Sequence, residues 1–247
     1  MFIDRVKSLT KSLVMWFYAY HCNDKAVILT AEDTVNYVVK HRCSLIRFGD
    51  GEFYLMGGSS IHYQEFSEAV KNDLALILKN DSEVCSNILI CMPKFYFECS
   101  GLELLKKRVL FRSWVKPRYM FKKHYNEKRI YGDAFLFAEK NNEVYKLIWE
   151  GTDVKTVLFV HNNPLYASFF KEKYGKEIHF IRVPSNNAYA CVDDIYNNIV
   201  KFIESNKVDI VLISAGPCAK VLVFRLAKRG VWAIDTGHCW DDPLETM

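Results

Sequence analysis

Several familiar signatures are missing from this chain of 247 residues. Its eight cysteines form no Cys-x-x-Cys pair, and several sit within apolar runs. That excludes a disulfide framework or a zinc site and points to small buried residues in a reducing compartment. No stretch reaches the ~20 apolar residues of a membrane span. The longest early run, Leu13 to Tyr20, is short, aromatic and without a small-residue cleavage site, so no secretory leader is expected. A cytoplasmic protein is expected; the basic segment before that run (Arg5, Lys7, Lys11) could bring it to the inner membrane face or an enzyme complex. Neither Gly-x-Gly-x-x-Gly, nor a P-loop lysine, nor Gly-x-Ser-x-Gly occurs, which argues against nicotinamide, ATP and serine-hydrolase chemistry. The net charge of +4 is too small for a dedicated nucleic-acid binder.

What is present is half hydrophobic and a quarter charged, enough for one well-filled domain over residues 1–247. Buried strands are expected at Cys43–Phe48, Asn87–Met92, Thr156–Val160, Glu177–Val183, Asp209–Ser214 and Val231–Asp235. Helical patterns lie between them, with N-terminal helices over 1–41 and an inserted helical region over 100–150. Strands alternating with helices imply an α/β fold, a Rossmann-like and mainly parallel sheet with helices on both faces. Ligands of such sheets bind at the carboxyl ends of the strands.

Several strand ends carry polar sequence. After Leu45, Ile46 and Phe48 comes Gly49-Asp50-Gly51-Glu52, two acids interleaved with two glycines. Two carboxylates one residue apart can converge on a hard cation; a turn in which Asp50 caps the next segment fits equally. Ser214-Ala215-Gly216-Pro217 is a strand-to-helix turn whose free N–H groups suit a phosphate, although a plain tight turn explains it as well. His238, past the end of the last strand, reads as a further ligand or as a histidine satisfied by backbone; Asp241 and Asp242 follow it. Asp133 reads as a general base or as a cap. Basic residues crowd between Lys106 and Arg129 with aromatics interleaved, a solvated face or a surface for a sugar-bearing substrate.

Taken together, Ile46–Glu52, Tyr131–Phe135, Pro184–Tyr189, Ala215–Pro217 and Ala233–His238 resemble the bacterial glycosyltransferases of the GT-D fold. The resemblance runs from about Cys43 to Asp242. It implies transfer of a hexose from a nucleotide-diphosphate sugar, UDP-linked by first expectation, to an acceptor glycan of a surface polysaccharide or glycoprotein. It implies Mn2+ or Mg2+ as cofactor, with Asp50, Glu52 and His238 as metal ligands. Arg47, Gly49, Gly51, Gly216 and Pro217 would shape the phosphate pocket, and Ser185, Asn186 and Asn187 would contact nucleotide or sugar. Asp133 would be the base of an inverting reaction, and the acceptor would lie near Trp114–Tyr125. The loop His161-Asn162-Asn163-Pro164 differs from the family's Gly-Asn-Asp pattern. A metal-dependent hydrolase of a phosphorylated or nucleotide substrate would use the same acids, and a non-catalytic nucleotide-sugar-binding subunit would bind the donor without turnover.

Overall fold

The structure, a computed structural model, describes residues 2–21, 26–79, 87–106, 108–125 and 129–240. Eight strands form one sheet: β1 (Val27–Ile28), β2 (Ser44–Arg47), β3 (Ile88–Met92), β4 (Ile130–Asp133), β5 (Thr156–His161), β6 (Glu177–Arg182), β7 (Ile210–Ile213) and β8 (Ala233–Asp235). Their order is β1-β4-β3-β2-β8-β7-β5-β6, and every pairing is parallel.

All six expected strands are found. The expectation that residues 100–150 hold no strand is corrected: β4 pairs with β3, placing Asp133 beside Met92. The sequence signal was weak there because β4 is four residues long and includes a glycine. That glycine is needed. A Cβ on Gly132 would lie 2.6 Å from Cys91 Sγ and 2.7 Å from Thr34 Cγ2.

Period-two alternation splits the sheet's apolar residues between two cores. Ile46, Val160 and Val211 face one, and Leu45, Phe159 and Leu212 face the other. Burial on both faces explains the nearly continuous apolar runs, as in β5, where all six residues are buried. The helix Pro217–Lys228 covers one face and Ala31–His41, through Val35 and Val38, the other. Thr30 caps the latter helix, accepting the N–H of Asp33 at 3.1 Å.

The two halves of the chain meet at β2 and β8, where Leu45 pairs with Ile234. From that seam the first half continues outward through β3 and β4, and the second through β7, β5 and β6. Such a topological switch point opens a crevice beyond the strand ends.

The N-terminal helix Phe2–Tyr18 is locked to the body by Arg118, which is 1% exposed. Its guanidinium donates to the carbonyls of Ala19, Tyr20, Tyr96 and Cys99. A buried cation is tolerable here because helix-end carbonyls, which lack helical partners, surround it.

Candidate active site

The crevice is a cleft of about 740 Å³, well within the range of small-molecule sites. Residues following β2 through β8 all contribute to its lining, among them Asp50, Pro93, Phe135, Asn162, Ser185, Gly216 and His238, and so does His161 at the end of β5. The expected convergence of strand ends is therefore realised.

The acidic stretch is not a free loop. Gly49 caps the helix Asp50–Met56, so both acids sit in a first helical turn. Glu52 Oε2 accepts the Gly49 N–H at 2.7 Å, and carboxylates are favoured at this end of a helix. Gly49 itself has φ −108°, so backbone handedness is not what calls for glycine there.

Glu52 is buried, and its other oxygen lies 3.2 Å from the Lys220 ammonium. Lys220 also reaches Asp235 Oδ2 at 3.0 Å and the Gly216 carbonyl at 3.2 Å. Burial works against the lysine's charge, but Asp235 and Glu52 outweigh it and hold its pKa above the ordinary lysine value. Asp235 Oδ2 accepts the Arg47 N–H at 3.0 Å as well. One ammonium thus ties together the ends of β2, β7 and β8.

Asp50 differs. Its Oδ1 accepts the Gly51 N–H at 3.0 Å, and among the described residues it has no ion-pair partner. Burial, then the charge of Glu52, push its carboxyl above the ordinary aspartate value. Counting Asp50, Glu52 and Asp235 against Lys220 and Arg47 leaves one negative charge at the floor, and Asp50 is where it is unpaired.

Arg47 leans across the cleft. Its Nη1 donates to the Ala134 carbonyl at 2.9 Å, its guanidinium lies 5.3 Å from the Phe137 ring, and its buried Nε has no hydrogen-bond partner among the described residues. Two glycines make room for the neighbouring side chains, both in the left-handed region. A Cβ on Gly237 (φ +51°) would fall 1.6 Å from Arg47 Nη2, and one on Gly216 (φ +54°) 2.9 Å from the Tyr63 ring. Tyr63 lies edge-on to His238, centroids 6.2 Å apart. Burial and Glu52 push its hydroxyl up to about 12.

Other expected residues serve less directly. Asp133 does not line the cleft; its Oδ1 accepts the Phe135 N–H at 2.9 Å and so shapes the turn whose Ala134 carbonyl holds Arg47. Asn186 and Asn187 do not line it either. Asn187 latches two loops, accepting the Glu65 N–H at 2.7 Å and donating its own N–H to the Tyr63 carbonyl at 2.9 Å. Ser185, Gly51, Pro217 and the exposed His238 do line the cleft. Asp241 and Asp242 lie outside the described residues. At the helical end, Trp114 enters the cleft while stacked on Tyr96 at 4.1 Å. Phe135, 44% exposed, lies nearby on Tyr96.

A family model described as "Glycosyltransferase GT-D fold" matches residues 45–243. The chain belongs to the GT-D-fold glycosyltransferase family. It is 28% identical over 236 residues to "Glycosyltransferase GlyD" of Streptococcus pneumoniae, covering 87% of this chain and 27% of the relative. It is 24% identical over 234 residues to "Probable glycosyl transferase Gly" of Streptococcus gordonii, covering 85% of this chain and 32% of the relative. The chain therefore spans about a third or less of the curated relatives it matches. Among solved structures it resembles the highly conserved domain of unknown function 1792, described as having a distinct glycosyltransferase fold. That likeness has a TM-score of 0.77 at 26% identity and covers 93% of this chain and 84% of the other. A glycosyltransferase from Streptococcus sanguinis shares the fold, with a TM-score of 0.71 at 24% identity over 89% of this chain and 84% of that one.

In this GT-D cleft no three His, Cys, Asp or Glu side chains among the described residues form a cage for a metal ion. The donor set instead fits an ion that keeps its waters and arrives with substrate phosphates, which needs one or two carboxylates. Asp50 can serve; Glu52 is already engaged by Lys220. Lys220 was missed in the sequence. The signal available was a lone lysine within the otherwise apolar stretch Pro217–Phe224, since lysine is almost never fully buried unless paired. Tyr63 and Phe137 carried no sequence signal that separates them from core aromatics, whereas His161 opens the polar loop that follows the expected strand Thr156–Val160.

Proposed function

We propose that the chain transfers a hexose from a nucleotide-diphosphate sugar, a UDP-sugar first, to a glycan acceptor of a surface polysaccharide or glycoprotein. The observation that carries this reading is the unpaired Asp50 carboxylate on a cleft floor otherwise neutralised by Lys220 and Arg47. A site of that charge suits a divalent cation together with the diphosphate that accompanies it.

Asp50 would hold the ion, with His238 at the rim as a further ligand once donor is bound. Arg47, through its Nε, and the start of the helix Pro217–Lys228 would bind phosphate oxygens. Mn2+ or Mg2+, when bound, would offset the charge that develops on the departing nucleoside diphosphate. Lys220 would keep Glu52 and Asp235 fixed, so that the floor does not reorganise as that charge develops. Ser185 and the 184–188 loop would face nucleotide or sugar. Trp114 and Phe135 would offer aromatic faces to the acceptor. The six free cysteines among the described residues suit a cytoplasmic site of action.

The test is incubation with a panel of nucleotide sugars and acceptor extracts, with and without Mn2+. Metal-dependent, acceptor-dependent release of nucleoside diphosphate, lost in Asp50→Asn, supports transfer. Donor loss at one rate with or without acceptor marks a hydrolase. Donor binding without any turnover marks a binding subunit.

A further inference from the structure

The N-terminal helix turns its apolar stripe outward. Leu13, Val14 and Phe17 are 46%, 62% and 79% exposed, and their spacing puts them on one helical face. The helix cannot roll to hide them. Met15 and Trp16 on the opposite side already pack on the core, the Trp16 indole donates to the Gly101 carbonyl at 2.9 Å, and Arg118 clamps the carbonyls that follow. The adjoining short helix Gly101–Lys106 exposes Leu102 and Leu105 at 53% and 45%, again one face.

Charge separates this part from the rest. Residues 2–20 hold three basic side chains and one acid, and residues 101–124, setting aside the buried Arg118, hold seven and one. Together they carry +8 in a chain whose total is +4, which leaves −4 for everything else. Exposed aliphatic and aromatic side chains among lysines and arginines, with little acid, are the pattern of a helix lying in a membrane interface. Anionic headgroups attract such clusters. Among the described residues no helix is long and apolar enough to cross a membrane, so contact would be peripheral.

We propose that this face, the outer side of the helix Phe2–Tyr18 with the neighbouring helices of 101–124, docks on an anionic lipid bilayer. The helix Arg108–His124, which packs against the N-terminal helix, also sends Trp114 into the cleft. An acceptor carried on a lipid would thus meet the enzyme on the side where the aromatic platform lies. That consequence rests on the proposed transferase reading; the docking itself does not.

The experiment is co-sedimentation of the full chain with vesicles of phosphatidylcholine alone and with about 30% phosphatidylglycerol, at low and high salt. Binding to anionic vesicles at least tenfold stronger than to neutral ones, and weakened by salt, is expected. The double variant Val14→Glu/Phe17→Glu should lose binding about tenfold, and so should Lys11→Glu/Lys106→Glu/Lys123→Glu. Both should keep the wild-type thermal unfolding temperature and soluble-donor binding. Absence of vesicle binding, binding unchanged in the variants, or self-association through this face in sedimentation velocity would overturn the proposal. Loss of donor turnover in the wild type would count against the transferase reading and leave the docking result untouched.

Discussion

Oε1 of Glu52 and Nζ of Lys220 stand 3.2 Å apart, with each side chain 5% exposed. They join the first turn after β2 to the first turns of the helix that follows β7. A pair so deep in the protein is costly to break from one side, because the survivor is a buried charge without compensation.

Lys220→Met should therefore destabilise the fold by about 3–5 kcal/mol. It strands Asp235 as well as Glu52, and among the described residues Asp235 Oδ1 already lacks a hydrogen-bond partner. The combined variant Glu52→Gln/Lys220→Met should recover part of that loss. Urea unfolding of the single and double variants gives the coupling; strictly additive losses would contradict the ion-pair account.

Asp50→Asn should act in the opposite sense on stability. The wild-type carboxylate is held above its ordinary pKa by burial and by Glu52, so removing its charge should leave stability unchanged or slightly raised. Metal-dependent turnover should fall roughly a hundredfold. Stability that drops along with activity would mean the carboxylate is structural.

Gly237→Ala introduces a Cβ where Arg47 Nη2 lies, at a backbone φ of +51°. The left-handed conformation costs about 1–2 kcal/mol for a residue with a side chain, and Arg47 must leave the Ala134 carbonyl. Donor affinity should weaken more than turnover of bound donor, as read from the KM and kcat of the variant. An Arg47→Lys variant should share the affinity loss without the stability loss.

Acid stability should depend on Asp209. Burial raises its pKa, but the N–H groups of Thr156 and Lys155, at 2.9 and 2.8 Å, outweigh burial and hold it below its ordinary value of 3.8. A carboxyl depressed in the folded state stabilises fully above its unfolded pKa, and that stabilisation is lost as pH falls through the lower folded value. Asp209→Ala should cost about 1 kcal/mol near neutrality after allowance for solvent screening. The cost should shrink toward zero in the acid range, followed by urea unfolding at several pH values.

How much was legible follows from which interactions are local. Each expected strand was an apolar run bounded by turn residues, so Thr156–Val160 and Glu177–Val183 could be read directly. β1 and β4, of two and four residues, offered too little pattern. The capping role of Glu52 sits three residues from Gly49, within reach of sequence reasoning, but the sequence suggests a cation site or a cap by Asp50 and does not give that role to Glu52.

By itself, the order of apolar and polar residues determined a parallel α/β sheet and collected the chemistry at its carboxyl edge, because period and handedness are local properties of the backbone. Only the tertiary structure decided which of the two acids flanking Gly51 stays unpaired. Lys220 lies 168 positions beyond Glu52, and no spacing rule connects them. Their meeting depends on β7 and β8 folding back beside β2, and that contact turns one carboxylate into framework and leaves the other in the cleft.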